Sequence, residues 1–246
     1  PAMGTPRSDV VDGGRHRGTR DGRLRPWRVA GEPFAHRSPH LDSYPVPATA
    51  NTDTTPANLV VLASGSGSLA QAIFDAADDS FRVSALITDR PTAPVVTRAL
   101  DAGVPVHMLP VSDYPSRDTW DRALAQLLTE LDPDVVVSAG FMRIFGPSVL
   151  ARFEGRIINT HPSLLPQFPG AHAVRDALAA GAAHTGATVH LVDSGVDTGA
   201  VLAQQRVEIF AADTEVELHE RIKIVERQLV VDVIRALIRS DRQERP

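Results

Sequence analysis

The sequence predicts an α/β protein, a doubly wound and mostly parallel sheet flanked by helices. Three observations carry that prediction. From Asn58 onward, short apolar runs alternate with longer segments of helical period. The first run, Leu59-Val60-Val61-Leu62-Ala63, is apolar throughout, as a strand covered on both faces must be. A glycine-rich turn, Ser64-Gly65-Ser66-Gly67-Ser68, joins that run to the helical segment behind it.

Taken in order, Leu69 to Ala77 has helical spacing, Val83 to Ile87 reads as a second strand and Pro91 to Ala102 as a second helix. Val106 to Leu109 forms a third strand. Trp120 to Leu131 is a helix that stops at Asp132-Pro133, because the residue before a proline is pushed out of the helical region. Val135 to Val137 and Arg156 to Ile158 are short buried strands. A helix over Ala173 to Ala180 follows, then two longer strands, Thr185 to Val192 and Val201 to Ile209, and a closing helix from Glu215 to about Ile238. Strands separated by helices pair in parallel through right-handed crossovers.

Residues 1–56 differ in kind. They are rich in Arg, Pro and Gly and show no apolar periodicity, so they bury too little to offset their ordering entropy and read as a disordered extension. Residues 57–246 read as the folded domain. In the whole chain of 246 residues, 43% are hydrophobic, enough for a substantial core, and the formal net charge of -5 argues against a nucleic-acid partner. There is no cysteine, which removes disulfides and thiolate metal sites. No apolar run approaches the roughly 18 residues of a membrane span, and no secretory signal is visible, so a cytoplasmic location is expected.

The glycine turn admits more than one reading. Glycines let a backbone approach a ligand, and the following helix start offers free N–H groups to a phosphate. Gly65-x-Gly67-x-x-Ala70 also satisfies the relaxed dinucleotide fingerprint, with Asp89 roughly twenty residues on at the end of the second strand. A phosphomonoester, a dinucleotide and a plain tight turn all remain open on this loop alone.

The most informative segment is Asn159-Thr160-His161-Pro162-Ser163-Leu164-Leu165-Pro166-Gln167-Phe168-Pro169-Gly170. It follows a buried strand, and side chains two apart in an extended segment share a face. Asn159 and His161 thus converge at the mouth of the sheet. A carboxamide that donates to an oxyanion, beside a group that moves protons, suits acyl transfer. Asp197, in the polar loop Asp193-Ser194-Gly195-Val196-Asp197-Thr198-Gly199, is placed to reach back and favour the imidazolium form of His161. His161, His172, His184 and His190 lie in separate elements without the pairing of a helical zinc site, so no metal is expected. Ser66 sits in a Gly-x-Ser-x-Gly string, but phosphate binding accounts for that loop better than a hydrolase elbow does.

Three blocks, Ser138 to Ile144, Asn159 to Pro166 and Asp193 to Gly199, resemble the folate-dependent formyltransferases, within them the branch acting on glycinamide ribonucleotide. The resemblance runs from about Asn58 to about Ile238. It implies 10-formyltetrahydrofolate as co-substrate, glycinamide ribonucleotide as acceptor and a step in purine biosynthesis. It implies a catalytic set of Asn159, His161 and Asp197. Gly67, Ser68 and Leu69 match the loop that holds the substrate phosphate, and Glu226 matches an acidic residue near the ribonucleotide. Arg117, Met142, Arg143, Ile144 and Phe145, with Asn159, match the folate side. Pro162 stands where transfer-RNA and sugar-nucleotide formyltransferases usually have glycine and where deformylases usually have a second histidine. Ser66 and Leu69 depart from the asparagines that many relatives carry in the phosphate loop. A homodimer is compatible with the family. The alternatives kept beside this reading are a formyltetrahydrofolate hydrolase, a dinucleotide-binding oxidoreductase and a ligand-sensing domain without catalysis.

Overall fold

Strand β1 (Ala57–Leu62) sits at the centre of the sheet, and Leu59, Val60, Val61 and Leu62 have no exposed surface. Its unbroken apolar run is explained by layers on both faces. Leu59 and Val61 pack toward Ile73, Val95, Val230 and Ile234, whereas Val60 and Leu62 pack toward Trp120, Leu124, Val149 and Phe153. Each such fully buried side chain contributes about 1.5–3 kcal/mol of transfer free energy. The computed structural model describes residues 55–244. Apart from its last two residues, the extension expected to be disordered lies outside the described residues.

The elements follow the predicted alternation. Helix α1 (Ser68–Asp75) leads to β2 (Phe81–Thr88), α2 (Val95–Asp101) to β3 (Val106–Met108), and α3 (Arg117–Leu131) to β4 (Val135–Ser138). Helix α4 (Pro147–Phe153) precedes β5 (Ile157–His161), and α5 (Ala173–Ala179) precedes β6 (His184–Leu191) and β7 (Val201–Glu208). Helix α6 (Glu215–Glu244) closes the chain across one face. The sheet has seven strands in the order β3-β2-β1-β4-β5-β6-β7. Pairing is parallel from β3 to β5, and antiparallel for β5 with β6 and β6 with β7.

Several boundaries differ from expectation, among them α6 running to Glu244 rather than about Ile238 and β5 to His161 rather than Ile158, and three differences have clear local causes. Helix α3 starts at Arg117, ahead of Trp120, because Ser116 and Thr119 form a capping box in which Ser116 Oγ accepts from Thr119 N–H at 3.2 Å. Helix α2 starts four residues later than read, at Val95, behind Pro94. Helix α4 was not anticipated: Pro147 at its first turn and the buried carboxylate of Asp121 nucleate it, the latter accepting from Gly146 N–H at 2.7 Å and Ser148 N–H at 2.8 Å. Among the described residues, no helix is long and apolar enough to cross a membrane.

Candidate active site

The strand order reverses beside β1, whose neighbours β2 and β4 leave it in opposite directions. Ligand crevices open at such a switch point, beyond the carboxyl ends of the strands. Here the loops after β1, β4 and β5 and the β6–β7 loop surround a cleft of about 590 Å³. The glycine turn forms one wall. Gly67 has φ 75°, and a Cβ there would stand 2.5 Å from Cγ2 of Val95, so this position requires glycine.

Asp89, the acid of the dinucleotide fingerprint, is buried and already engaged. Ser64 Oγ donates to Asp89 Oδ1 at 2.5 Å, and Arg143 Nε donates to Asp89 Oδ2 at 2.6 Å. Ser64 Oγ in turn accepts from Met142 N–H at 2.9 Å. These bonds tie the loop after β1 to the loop after β4 and occupy the carboxylate that a nucleotide ribose would need. Phe141 of the second loop stacks between Trp120 of α3 and Phe145, with ring centroids 6.2 and 5.8 Å away. With Phe141 and Phe145 turned into the core, Met142 and Ile144 stand 65% and 66% exposed at the cleft mouth, an apolar rim for a flat ring system. Arg117 does not line the cleft. Its guanidinium lies 4.3 Å from the Trp120 ring centroid and donates to the Ile144 carbonyl at 2.7 Å, supporting the loop from behind.

At the opposite wall, β5 extends through Asn159, Thr160 and His161, whose backbones pair with His190, Val189 and Thr188 of β6. Period-two alternation brings Asn159 and His161 to the same cleft. His161 is 4% exposed; its Nε2 lies 2.8 Å from the Phe168 carbonyl and its Nδ1 3.3 Å from Asp197 Oδ2. A carbonyl oxygen only accepts, so Nε2 carries a proton, while Nδ1 faces the Asp197 carboxylate. Asp197 comes from the β6–β7 loop, held at φ 56° in the left-handed region, and its Oδ2 also accepts from Gly170 N–H at 2.8 Å. The His190 ring when charged, then the Gly170 N–H and the charge of His161, hold the Asp197 carboxyl below its ordinary value against partial burial. Where β7 begins, a Cβ on Gly199 would collide with the Leu191 carbonyl oxygen, which keeps this loop tight against β6.

Helix α6 supplies the floor. His219, Lys223 and Glu226 share one of its faces and line the cleft. Burial pushes the Glu226 carboxyl from 4.5 up to about 7, offset in part by the charge of Lys223 and a hydrogen bond with Thr160. Burial, then the charge of Lys223, lowers the His219 pKa. No group of three or more His, Cys, Asp or Glu among the described residues is arranged to hold a metal ion.

Of the residues singled out in the sequence, Gly67, Ser68, Leu69, Met142, Arg143, Ile144, Phe145, Asn159, His161, Asp197 and Glu226 line this one cleft, and Arg117 stands behind it. His190, His219 and Lys223 were not anticipated as site residues. The signal for His190 was a histidine between Val189 and Leu191 in a buried strand; for Lys223, it was the position of the chain's sole lysine three residues before Glu226.

A doubly wound α/β sheet with a carboxamide, an imidazole and a carboxylate at its switch-point cleft defines a class, that of proteins equipped for direct acyl transfer. Residues 57–234 match the family described as formyl transferase. Phosphoribosylglycinamide formyltransferase of Mycobacterium tuberculosis is 54% identical over 186 residues, covering 75% of this chain and 86% of that protein. The protein of the same name from Escherichia coli is 41% identical over 180 residues, covering 72% and 85%. The crystal structure of glycinamide ribonucleotide transformylase 1 from Geobacillus kaustophilus superposes with a TM-score of 0.72 at 44% identity, covering 74% of this chain and 99% of that one. The chain belongs to the formyl transferase family.

Proposed function

We propose that this chain transfers the formyl group of 10-formyltetrahydrofolate to the primary amine of glycinamide ribonucleotide, a step of purine biosynthesis carried out in the cytoplasm. The supporting observation is the meeting of Asn159 and His161 from one strand end with Asp197 from a separate loop, opposite a glycine turn suited to a phosphate. In this reading the Met142–Phe145 loop receives the folate. The Gly67–Leu69 turn takes the phosphate through backbone N–H groups at the start of α1, donors that do not depend on the side chains of Ser66 and Leu69. Glu226, and the neighbouring Lys223, face the ribonucleotide.

The reaction forms a bond from the amine nitrogen to the formyl carbon and breaks the bond from that carbon to the folate nitrogen. Asn159 donates to the formyl oxygen as negative charge builds there; such a donor contributes about 100- to 1000-fold in rate. His161, beside Asp197, assists at the same oxygen once its Nε2–H turns from the Phe168 carbonyl to the reacting groups. It also moves the proton that leaves the amine toward the departing folate nitrogen. A nicotinamide reading loses its ribose partner, because Asp89 is bound by Ser64 and Arg143.

The test is absorbance at the folate as it loses its formyl group, with and without glycinamide ribonucleotide. Loss that requires the ribonucleotide is expected. Equal loss without it would make the protein a hydrolase and overturn the transfer reading.

A further inference from the structure

His190 is 2% exposed, stands on β6 directly opposite Asn159 in the strand register, and has a partner at each ring nitrogen. Its Nδ1 lies 2.8 Å from the Leu191 carbonyl. A carbonyl oxygen only accepts, so Nδ1 carries a proton. Its Nε2 lies 3.2 Å from Asn159 Nδ2 and 3.6 Å from Asp197 Oδ1. The first distance is a hydrogen bond and the second is too long for one. The two contacts also make opposite demands on Nε2. A carboxylate needs a proton there, whereas an amide N–H needs a lone pair. In the neutral ring the proton at Nδ1 leaves Nε2 as the acceptor of the nearer amide, and only the charged ring would donate toward Asp197.

We propose that His190 is a positioning residue for the transfer reaction. By accepting one N–H of the Asn159 carboxamide, it fixes which end of that amide is nitrogen and leaves the second N–H directed at the reacting oxygen. A primary amide can turn over by rotation about its last side-chain bond, which would present its oxygen, a repulsive group, to a developing oxyanion. The β5–β6 backbone pairing sets the spacing of the two side chains, and the Nδ1–H···O bond to Leu191 holds the ring in plane. The inference rests on the proposed role of Asn159.

Kinetics of His190→Leu, His190→Gln and Asn159→Ala, with the His190→Leu/Asn159→Ala double variant, test it. His190→Leu is expected to lower kcat about 10- to 100-fold, less than loss of the donor itself, with KM for either substrate changed less than about two-fold. His190→Gln carries a side-chain oxygen to the region of Nε2 and is expected to recover most of kcat. In the Asn159→Ala background, His190→Leu should add little, because its effect passes through the missing amide. Multiplicative losses, or a rise in KM at constant kcat, would overturn the proposal. Imidazole nitrogen NMR of the unaltered protein, with the His190 signals identified by their loss in His190→Gln, gives a readout without turnover. A proton at Nδ1 and a lone pair at Nε2 are expected, and a proton at Nε2 would overturn the assignment. Absence of ribonucleotide-dependent transfer in the unaltered protein would strike the functional reading, while the NMR result would still decide the tautomer.

Discussion

Arg143 Nε lies 2.6 Å from Oδ2 of Asp89, a carboxylate with none of its side chain exposed, and this pair joins the end of β2 to the loop that follows β4. Asp89 thereby serves as a strut between two cleft walls. Asp89→Ala is expected to destabilise the fold by about 1–3 kcal/mol, since Ser64 loses its acceptor while the partly exposed Arg143 regains water. Denaturant midpoints measure this. The Met142–Phe145 loop should also loosen, so KM for the folate should rise more than KM for the ribonucleotide.

Asn159→Ala is expected to lower kcat about 100- to 1000-fold with little change in either KM. Steady-state kinetics with each substrate varied in turn decide this. A change confined to KM would assign Asn159 to binding alone.

Asp197→Asn keeps an acceptor for Gly170 but removes the charge beside His161, and kcat is expected to fall about 100- to 10,000-fold. The Asp197 carboxyl is held below its ordinary value of 3.8. Its charge therefore persists through neutral and mildly acidic pH, and its stabilising contribution is lost only as pH falls through the depressed folded value. The unfolding midpoint of Asp197→Asn should accordingly differ most from the parent at neutral pH and converge with it in strong acid.

Glu226 has the opposite sign. Its carboxyl is raised from 4.5 to about 7 by burial, so the folded state retains a proton that the unfolded chain releases near 4.5. Its favourable contribution is complete below the unfolded value and declines as pH rises, by about 3 kcal/mol once pH passes the folded value. Glu226→Gln should flatten this decline, gaining stability on the parent at about pH 8 relative to about pH 4. Thermal unfolding across that range measures it. Parallel curves for the two proteins would show that burial does not shift Glu226.

Gly67→Ala forces a side chain into the left-handed region against Val95 and is expected to cost about 1–3 kcal/mol. The same change should raise KM for the ribonucleotide, because the turn that carries the phosphate donors must move. Calorimetry and kinetics on one preparation read both effects.

By itself, the sequence determined the layered α/β class, the alternation of strands with helices and the pairing of Asn159 with His161. Those features depend on local periodicity: an unbroken apolar run for β1, a period of two across β5, and a glycine or proline just beyond α2, α3 and α5. It also marked the glycine turn, and the structure supplies the reason for Gly67, a φ of 75°. Tertiary structure alone decided which distant groups meet. The antiparallel return of β6 sets His190 opposite Asn159, and the loop beyond it carries Asp197 to His161. Asp89, equally at home in a dinucleotide fingerprint, became a strut because Ser64 and Arg143 reach it first. Helix α4 was illegible for the same reason, as its start depends on Asp121 from another helix. Periodicity is a property of neighbours along the chain. A hydrogen bond between residues far apart in sequence is set by strand order and register, which no local pattern encodes.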